Sequence, residues 1–251
     1  MSELQPDTLR SRLHTKAVGR KIICVDSCES TNDLAWKEAL AGAADGTAIF
    51  AEEQSKGRGR FGRVWTAPRG QGLLCSLILR PEIEVERVPL MTAMAALAVA
   101  DVVGEEAQIR FPNDVMREGK KIAGILVEAR FISSRPDVFI VGIGLNVTGH
   151  PSGLNATSLG ESVSRIAAAR ALLEAVDEWY GRLPGNLRDY RKAWRERSYI
   201  LGKRVRVKQN GKTVPGVAED VDPLEGIVLR LDSGHPRTIR SEHVEHLEVL
   251  E

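Results

Sequence analysis

The sequence predicts an α+β protein in which a mixed or antiparallel sheet packs with helices over residues 1–199 and a small β-barrel occupies residues 200–251. Two observations support this prediction. Buried strand patterns alternate with helical patterns through the first part of the chain, whereas short strands with polar turns fill roughly the last fifty residues. A length of 251 residues accommodates one large domain and one small domain.

A strand, a helix and a second strand are predicted near the N-terminus. Residues 21–26 have the apolar pattern of a short buried strand, and residues 47–53 have the pattern of another. Between them, residues 34–42 form a helical pattern that ends at a glycine, with Ser30 or Thr31 as the N-cap. A helix N-terminus presents free N–H groups and partial positive charge, so these polar residues either bind a ligand there or only cap the helix.

The middle of the chain predicts the core of the sheet. Residues 72–80 are almost entirely apolar, which predicts a strand buried on both faces, and residues 89–103 are apolar all round, which predicts a buried helix. Residues 108–115 predict a strand that stops at a proline turn. Residues 122–128 and 137–147 predict an antiparallel pair, and two glycines in the second strand indicate a bulge, close approach of a ligand or tight packing of a helix.

Two amphipathic helices and a set of short strands complete the prediction. The helices are predicted at residues 164–180 and 187–197, and the arginines of the second are interpreted as a solvated face. The alternation that starts at Arg204 ends at Asn210-Gly211, which is typical of a β-hairpin. Further short strands are predicted at residues 214–220, 226–231, 237–240 and 244–249.

Composition and charge argue against several classes of protein. With 43% apolar and 27% charged residues the chain is globular, and a net charge of +1 gives no overall field toward nucleic acid or membranes. The three cysteines, Cys24, Cys28 and Cys75, are odd in number and lack a Cys-x-x-Cys pair with histidines, which argues against a disulfide framework and against zinc. The polar start and the lack of a long apolar run predict a cytoplasmic protein without a membrane partner.

The densest cluster of positive charge lies in residues 54–65, where glycines alternate with arginines and a tryptophan ends the stretch. Glycine lets the backbone approach a ligand, arginine offers a planar fork of donors to phosphate or carboxylate, and tryptophan offers a face for stacking. The stretch therefore predicts a site for an anion attached to a ring. A solvated basic loop with turn glycines is the alternative.

Known glycine motifs fit this loop poorly. Gly57, Gly59 and Gly62 match the Gly-x-Gly-x-x-Gly pattern of dinucleotide sites and, with Val64, the pattern of kinases. A dinucleotide site requires a helix directly after the loop, and the segment through Pro68 does not look helical. The His-Arg-Asp and Asp-Phe-Gly motifs of kinases and the Gly-Lys-Ser/Thr end of a P-loop do not occur in the sequence.

Further motifs join the loop in a pattern that resembles the biotin protein ligase family. They occur in the family's order within residues 20–150 and are Ser30-Thr31-Asn32, Gln54, the loop residues 57–65, Phe111-Pro112-Asn113-Asp114, residues 121–128 and Gly142-Ile143-Gly144-Leu145-Asn146. Where the family commonly has Lys-Trp before Pro-Asn-Asp, this chain has Arg110-Phe111, and Phe61 stands where a second arginine often occurs. Both differences concern fine contacts more than the activity.

The resemblance implies the catalytic fold of this family, which is like that of class II aminoacyl-tRNA synthetases, followed by an SH3-like β-barrel. It implies a monofunctional enzyme, because the residues before 20 leave no room for the winged-helix DNA-binding domain that repressor members carry. No nucleic acid is therefore expected as a partner. Family members often dimerise through a sheet edge, and the sequence leaves a homodimer open.

The resemblance also implies an ATP-dependent ligase that converts biotin and ATP to biotinyl-5'-AMP and then transfers biotin to a lysine of a biotin carboxyl carrier protein. The implied biotin-binding residues are Ser30, Thr31, Asn32, Gln54, Gly57, Arg58, Lys121 and Gly124. The implied ATP- or adenylate-binding residues are Arg60, Arg63, Trp65, Asn113 and Asn146. The implied catalytic residues are Lys121, Arg60, Arg63 and Asp114, with Mg²⁺ held mainly by the ATP phosphates.

Asp114 allows several interpretations, and so does the protein as a whole. The carboxylate is interpreted as a magnesium ligand, as the acceptor of a proton from the incoming lysine, or as a turn residue that bonds to its own backbone. A lipoate ligase with the same scaffold and a non-enzymatic nucleotide- or RNA-binding module are the alternative functions.

Overall fold

The computed structural model describes residues 3–183 and 185–250, and within them the strands form two separate sheets. The first sheet, here called the N-terminal sheet, contains seven of the described strands. They are β1 (Ile22–Cys28), β2 (Thr47–Gln54), β3 (Gly72–Leu79), β4 (Ala107–Arg110), β5 (Asp114–Arg117), β6 (Lys120–Ile132) and β7 (Arg135–Asn146).

The strand order of the N-terminal sheet is β1-β2-β3-β7-β6-β5-β4. β1 pairs parallel to β2 and the remaining neighbours pair antiparallel, so the prediction of a mixed sheet is confirmed. β6 and β7 form the predicted antiparallel hairpin, in which Gly124 lies opposite Gly144. Because β3 pairs with β7 and not with β4, this hairpin joins the two halves of the sheet.

Helices cover both faces of this sheet. They are α1 (Pro6–Arg10), α2 (Thr31–Leu40), α3 (Leu90–Val103), α4 (Arg165–Gly181) and α5 (Leu187–Glu196). α3 is buried along most of its length, as its apolar composition predicts, and α4 packs against it. α2 covers the opposite face, where its Ala35 and Ala39 pack against Ile49 and Ile140. In the described part of the chain, none of the helices is long and apolar enough to cross a membrane.

The alternation of side chains along β7 creates a hollow on the α2 face. Ile140 points toward α2, while Phe139 and Val141 belong to the core beneath α3. With a period of two, Gly142 and Gly144 fall on the α2 face and remove the side chains expected there. The pairing of β7 with β3 is continuous through both glycines, so the bulge interpretation is wrong.

The strand predicted over residues 108–115 stops at the proline turn as expected, but residues 114 and 115 belong to a second strand. β4 ends at Arg110, a three-residue turn centred on Pro112 follows, and β5 begins at Asp114. Proline has no N–H to donate to a strand ladder, so the chain turns here instead of continuing. The turn brings the start of β5 beside β6, where the hollow lies.

The second sheet, here called the C-terminal sheet, is built from short strands as predicted. They are β8 (Arg204–Gln209), β9 (Lys212–Asp222), β10 (Gly226–Arg230), β11 (Pro236–Ile239) and β12 (His246–Val249). The strand order is β11-β10-β9-β8-β12, and all neighbours pair antiparallel. The predicted hairpin at Asn210-Gly211 joins β8 to β9, and both turn residues have positive φ.

The arginines of α5 connect this helix to the C-terminal sheet. Arg191 lies 2.6 Å from Asp222, and Arg195 lies 2.6 Å from Asp220, both on β9. Arg191 and Arg195 remain 39% and 47% exposed, so the predicted solvated face is present and also carries these ion pairs. The ion pairs hold the C-terminal sheet against the helix that follows α4 in the chain, and β4 also pairs with Ser198 just after α5.

Candidate active site

A pocket opens over the glycine hollow, with walls from the start of α2, the loop 54–65 and the strands β5 and β6. It encloses about 680 Å³ of empty space, part of which is open to solvent. The sequence-predicted site residues on its wall are Ser30, Thr31, Asn32, Gln54, Arg58, Arg60, Arg63, Trp65, Asn113, Asp114, Lys121 and Gly124. Gly57 and Asn146 lie behind the wall, Gly57 beside the Gln54 side chain and Asn146 against the carbonyl of Thr157.

The first turn of α2 carries a hydrogen-bond network at the pocket. The N–H and Oγ1 of Thr31 donate to Oε1 of Gln54 at 2.7 and 3.0 Å. The oxygen of the Gln54 amide is thereby occupied, so its nitrogen is the group left to bind a ligand. Ser30 is the N-cap residue but makes no side-chain capping hydrogen bond, so the interpretation that it only caps the helix is wrong.

Sequence analysis missed Ser76, which is fully buried in β3. Its hydroxyl donates to Oδ1 of Asn32 at 2.6 Å and lies 2.7 Å from Oγ1 of Thr31. A single serine within the apolar run 72–80 was the available signal, because a buried hydroxyl requires hydrogen-bond partners. Ser76 thus holds the side chains of Thr31 and Asn32 in place at the start of α2.

The loop 54–65 folds as a short hairpin. The N–H of Trp65 donates to the carbonyl of Gly57 at 2.9 Å, and the N–H of Gly59 donates to the carbonyl of Arg63 at 2.7 Å. At the tip, Phe61 and Gly62 have φ angles of 54° and 73°, and the left-handed conformation at both positions closes the turn. Because this hairpin presents arginines to the pocket wall, a purely solvated loop is disfavoured.

Arg60 and Arg63 reach from the loop to the connection between β11 and β12. Nη2 of Arg60 donates to the carbonyl of Ser241 at 2.7 Å, and Nη1 donates to Oδ1 of Asn113 at 3.5 Å. Arg63 donates to the carbonyl of Glu245. Burial and the charge of Arg63 lower the pKa of Arg60 below its ordinary value. The partly buried guanidinium of Arg60 and the charge of Arg63 beside it favour an anion between them.

Glycines make room for side chains that cross the hollow. A Cβ on Gly144 would lie 2.2 Å from the indole of Trp65, and a Cβ on Gly124 would lie 3.0 Å from the same ring. A Cβ on Gly142 would lie 2.4 Å from Oδ1 of Asn32, at the start of α2. The two glycines of β7 therefore serve close packing of the loop and of the helix, which was one of the predicted interpretations.

Asp114 bridges two cations on the pocket floor. Its Oδ1 lies 2.6 Å from Nζ of Lys121, and its Oδ2 accepts from Nη2 of Arg110 at 2.6 Å. Burial opposes ionisation of this carboxyl, but the charges of Lys121 and Arg110 outweigh burial and hold the pKa of Asp114 below its ordinary value. Lys121 also lies 5.4 Å from the ring centroid of Trp65. The carboxylate of Asp114 therefore belongs to an ion-pair network, and the interpretation as a turn residue that bonds to its own backbone is wrong.

Replacing Asp114 by asparagine is expected to lower the free energy of unfolding by about 2 kcal/mol at pH 7, because two cations lose their shared counter-ion. The pKa of Asp114 is lower in the folded protein than in the unfolded chain. The stabilisation is therefore complete above the unfolded pKa of about 3.9, and it is lost as the pH falls through the folded pKa. Chemical denaturation of both proteins at pH 7 and in acid measures the difference. A difference that does not shrink in acid would contradict the ion-pair assignment.

Polar atoms of three side chains at the site are buried without a hydrogen-bond partner among the described residues. They are Nδ2 of Asn32, Nε1 of Trp65 and Oδ1 of Asn146. Nδ2 of Asn146 donates to the carbonyl of Thr157 at 2.9 Å, which fixes the amide with its oxygen free. Buried polar groups are nearly always paired, so two unpaired donors and one unpaired acceptor indicate a polar ligand.

Comparison with known proteins relates the chain to ligases. Residues 24–146 match the biotin/lipoate A/B protein ligase family. The chain is 33% identical to the biotin–[acetyl-CoA-carboxylase] ligase of Mycobacterium tuberculosis, over 97% of this chain and 96% of that protein. It is 32% identical to the bifunctional ligase/repressor BirA of Bacillus subtilis, over 90% of this chain and 74% of that protein.

The fold also has relatives of known structure. The biotin protein ligase from Aquifex aeolicus in complex with biotin and ATP matches with a TM-score of 0.75 and 24% identity, covering 92% of this chain and 100% of that one. The arrangement of a sheet packed between helices is therefore shared with that protein. Taken with the sequence relationships, this likeness leads to one assignment: the chain belongs to the biotin/lipoate A/B protein ligase family.

Proposed function

We infer that this protein is a biotin protein ligase, which activates biotin with ATP to biotinyl-5'-AMP and transfers biotin to a lysine of a biotin carboxyl carrier protein. The observation that carries the inference is the convergence of hydroxyl and amide groups, loop arginines and a lysine–aspartate pair in one pocket. Relatives named biotin–[acetyl-CoA-carboxylase] ligase make the carrier domain of an acetyl-CoA carboxylase the expected acceptor.

Biotin would bind at the start of α2. Its ureido ring carries two N–H donors and one carbonyl, so the site needs both acceptors and a donor. The hydroxyls of Ser30 and Thr31 offer acceptors, and the amide nitrogen of Gln54 and the unpaired Nδ2 of Asn32 offer donors. The loop backbone at Gly57 and Arg58 would close over the ring. Space for the acyl tail would come from the absent side chain of Gly124.

The nucleotide would bind toward Trp65 and the loop arginines. Trp65 and Asn146 are proposed to hold the adenine, since a ring face and an unpaired amide oxygen suit a base with an exocyclic amino group. Arg60 and Arg63 would bind the phosphates, and Asn113 would orient Arg60 through their 3.5 Å contact.

The first step brings two negatively charged groups together. A carboxylate oxygen of biotin bonds to the α-phosphorus of ATP, and the bond from that phosphorus to the pyrophosphate oxygen breaks. At about 4 Å and an effective dielectric constant of about 20, each pair of unit charges costs about 4 kcal/mol. Lys121 would lie between the carboxylate and the α-phosphate and offset this repulsion, while its contact with Asp114 fixes its position.

In the second step, the amine of the carrier lysine attacks the carbonyl carbon of the mixed anhydride. An amide bond forms, the bond to the oxygen of AMP breaks, and the amine loses a proton. Asp114 would accept that proton only after one of its cations moves away, because both of its oxygens are engaged at 2.6 Å by Lys121 and Arg110.

Mg²⁺ fits the donor set of the pocket as a partner of the phosphates. Among the described side chains, no group of three or more His, Cys, Asp or Glu residues is suited to hold a metal ion. We propose that the ATP phosphates are its main ligands and that Asp114 would join them only after Lys121 or Arg110 moves away from one of its oxygens. Bound there, the ion would neutralise phosphate charge as pyrophosphate departs.

The chain is proposed to divide into a catalytic domain over residues 1–199, of the class II aminoacyl-tRNA synthetase type, and an SH3-like β-barrel over residues 200–251. The separate C-terminal sheet, which begins at Arg204, supports this division. Antiparallel pairing throughout that sheet and its short strands are the features expected of a small barrel.

Incubation with biotin, ATP, Mg²⁺ and the carrier domain of an acetyl-CoA carboxylase is expected to release pyrophosphate and biotinylate one lysine. Absence of both products would refute the proposed function. A lipoate ligase is the second candidate, because the family description names both acids. The dithiolane ring of lipoate lacks N–H and carbonyl groups, so it would leave the polar groups around Thr31 and Gln54 unpaired. In a thermal-shift assay biotin, and not lipoate, should raise the melting temperature.

A further inference from the structure

The side chain of Arg58 connects the loop 54–65 to two other elements. Its Nη1 lies 2.6 Å from Oδ2 of Asp33 in the first turn of α2, and its Nη2 lies 3.2 Å from Oε1 of Glu128 on β6. The second oxygen of Glu128 accepts from Nε1 of Trp36 at 2.8 Å. These four residues form a continuous chain of contacts, here called the Arg58 latch.

The two carboxylates of the latch hold Arg58, a residue of the pocket wall, from outside the pocket. Neither Asp33 nor Glu128 is part of the described pocket wall, so the two carboxylates have no evident role as ligand contacts. The hydrogen bonds between Gly57 and Trp65 lie within the hairpin and would persist if the hairpin swung as a unit. Contacts of the hairpin with other elements resist such a movement, and those of Arg58 are among them.

The charges and shapes of the latch suit this purpose. Asp33, hydrogen-bonded to the guanidinium, raises the pKa of Arg58, so its charge is permanent. A planar guanidinium can donate to two carboxylates on separate elements at once, which a lysine ammonium does less well. Half-exposed ion pairs add little to global stability, so the latch acts on opening of the loop more than on unfolding of the chain.

We propose that Asp33 and Glu128 are positioning residues that act through Arg58 to hold the loop over the bound acyl-adenylate. This proposal rests on the proposed function. Biotinyl-adenylate is a reactive anhydride that has to persist until a carrier lysine arrives. A closed loop keeps it from leaving and from meeting water, so the lifetime of the latch sets the time for which the intermediate is retained.

The test uses the double variant Asp33→Asn/Glu128→Gln. The amide that replaces the carboxylate of Glu128 still offers an oxygen to Trp36. We expect adenylate release to be about five times faster, because the ion pairs that close the loop are lost. Single-turnover formation of adenylate and the melting temperature should stay the same. Glu29→Gln is the matched control, since it removes the exposed 2.8 Å pair with Lys56 on the same loop without touching the latch.

Trypsin gives a second readout that does not depend on adenylate. The loop offers cleavage sites at Lys56, Arg58, Arg60 and Arg63, and the double variant should be cut there faster than the unaltered full-length protein. Unchanged adenylate release together with unchanged cleavage would overturn the latch. If the double variant is cleaved faster but the unaltered protein makes no adenylate, the latch is supported and the proposed function is refuted.

Discussion

Replacing Lys121 by alanine is expected to lower the rate of adenylate formation by about 100- to 1,000-fold. Its ammonium group is the cation proposed between the biotin carboxylate and the α-phosphate. Arg110 cannot take over this role, because it is held 2.6 Å from the other oxygen of Asp114. Single-turnover formation of biotinyl-adenylate from biotin and ATP measures the loss directly.

The control for this variant separates charge from fold. Lys121 is only 30% exposed and pairs with Asp114, so its truncation should also lower the melting temperature, and the rate is compared at a temperature at which both proteins are folded. Lys121→Arg keeps the charge on a wider head group and should recover part of the rate. Adenylate formation at the normal rate in Lys121→Ala would refute the assigned role.

Gly57→Ala is expected to weaken biotin binding by about tenfold or more, because the new Cβ strains the loop against rigid backbone. It would lie 2.4 Å from the carbonyl oxygen of Trp65 and 3.1 Å from Nε2 of Gln54. The first contact is backbone, which cannot rotate away, so the hairpin has to open and move Gln54. Isothermal titration calorimetry with biotin measures the change.

Gly59→Ala is the matched control within the same loop. Gly59 has a φ of −119°, which any residue adopts, and its Cβ would meet other atoms no closer than 3.5 Å. Its effect on biotin affinity should therefore be at least several-fold smaller. Equal biotin affinity in Gly57→Ala and the unaltered protein would show that the loop backbone does not close over biotin.

The site residues were predicted from the resemblance to the biotin protein ligase family, supported by the chemistry of each residue type. Lys121 was predicted as a catalytic cation and Asp114 as an acid with three interpretations, and no contact between the two was predicted. Their 2.6 Å contact could not be predicted from sequence, because it depends on how β5 and β6 pair. That register shifts between Val115 and Met116, and one residue of shift moves a side chain to the other face of a sheet.

The glycines of β7 show the same limit in another way. Sequence left a bulge, a nearby ligand and tight helix packing open for them, and the residues that decide are distant in the chain, Asn32 for Gly142 and Trp65 for Gly144. Helix α1 was missed because five residues are too few to show a helical period. The bonds of the loop arginines to carbonyls more than 180 residues away also leave no local pattern to read.

The partners of Arg60 and Arg63 in the connection between β11 and β12 are main-chain carbonyls, which carry no net charge. A carbonyl neither titrates nor repels a phosphate with full negative charge, whereas an aspartate in its place would do both. We therefore expect a polyphosphate to take over the two side chains by exchange, without first displacing a charged partner. Because they stay extended between turnovers, each catalytic cycle avoids a new loss of rotamer entropy.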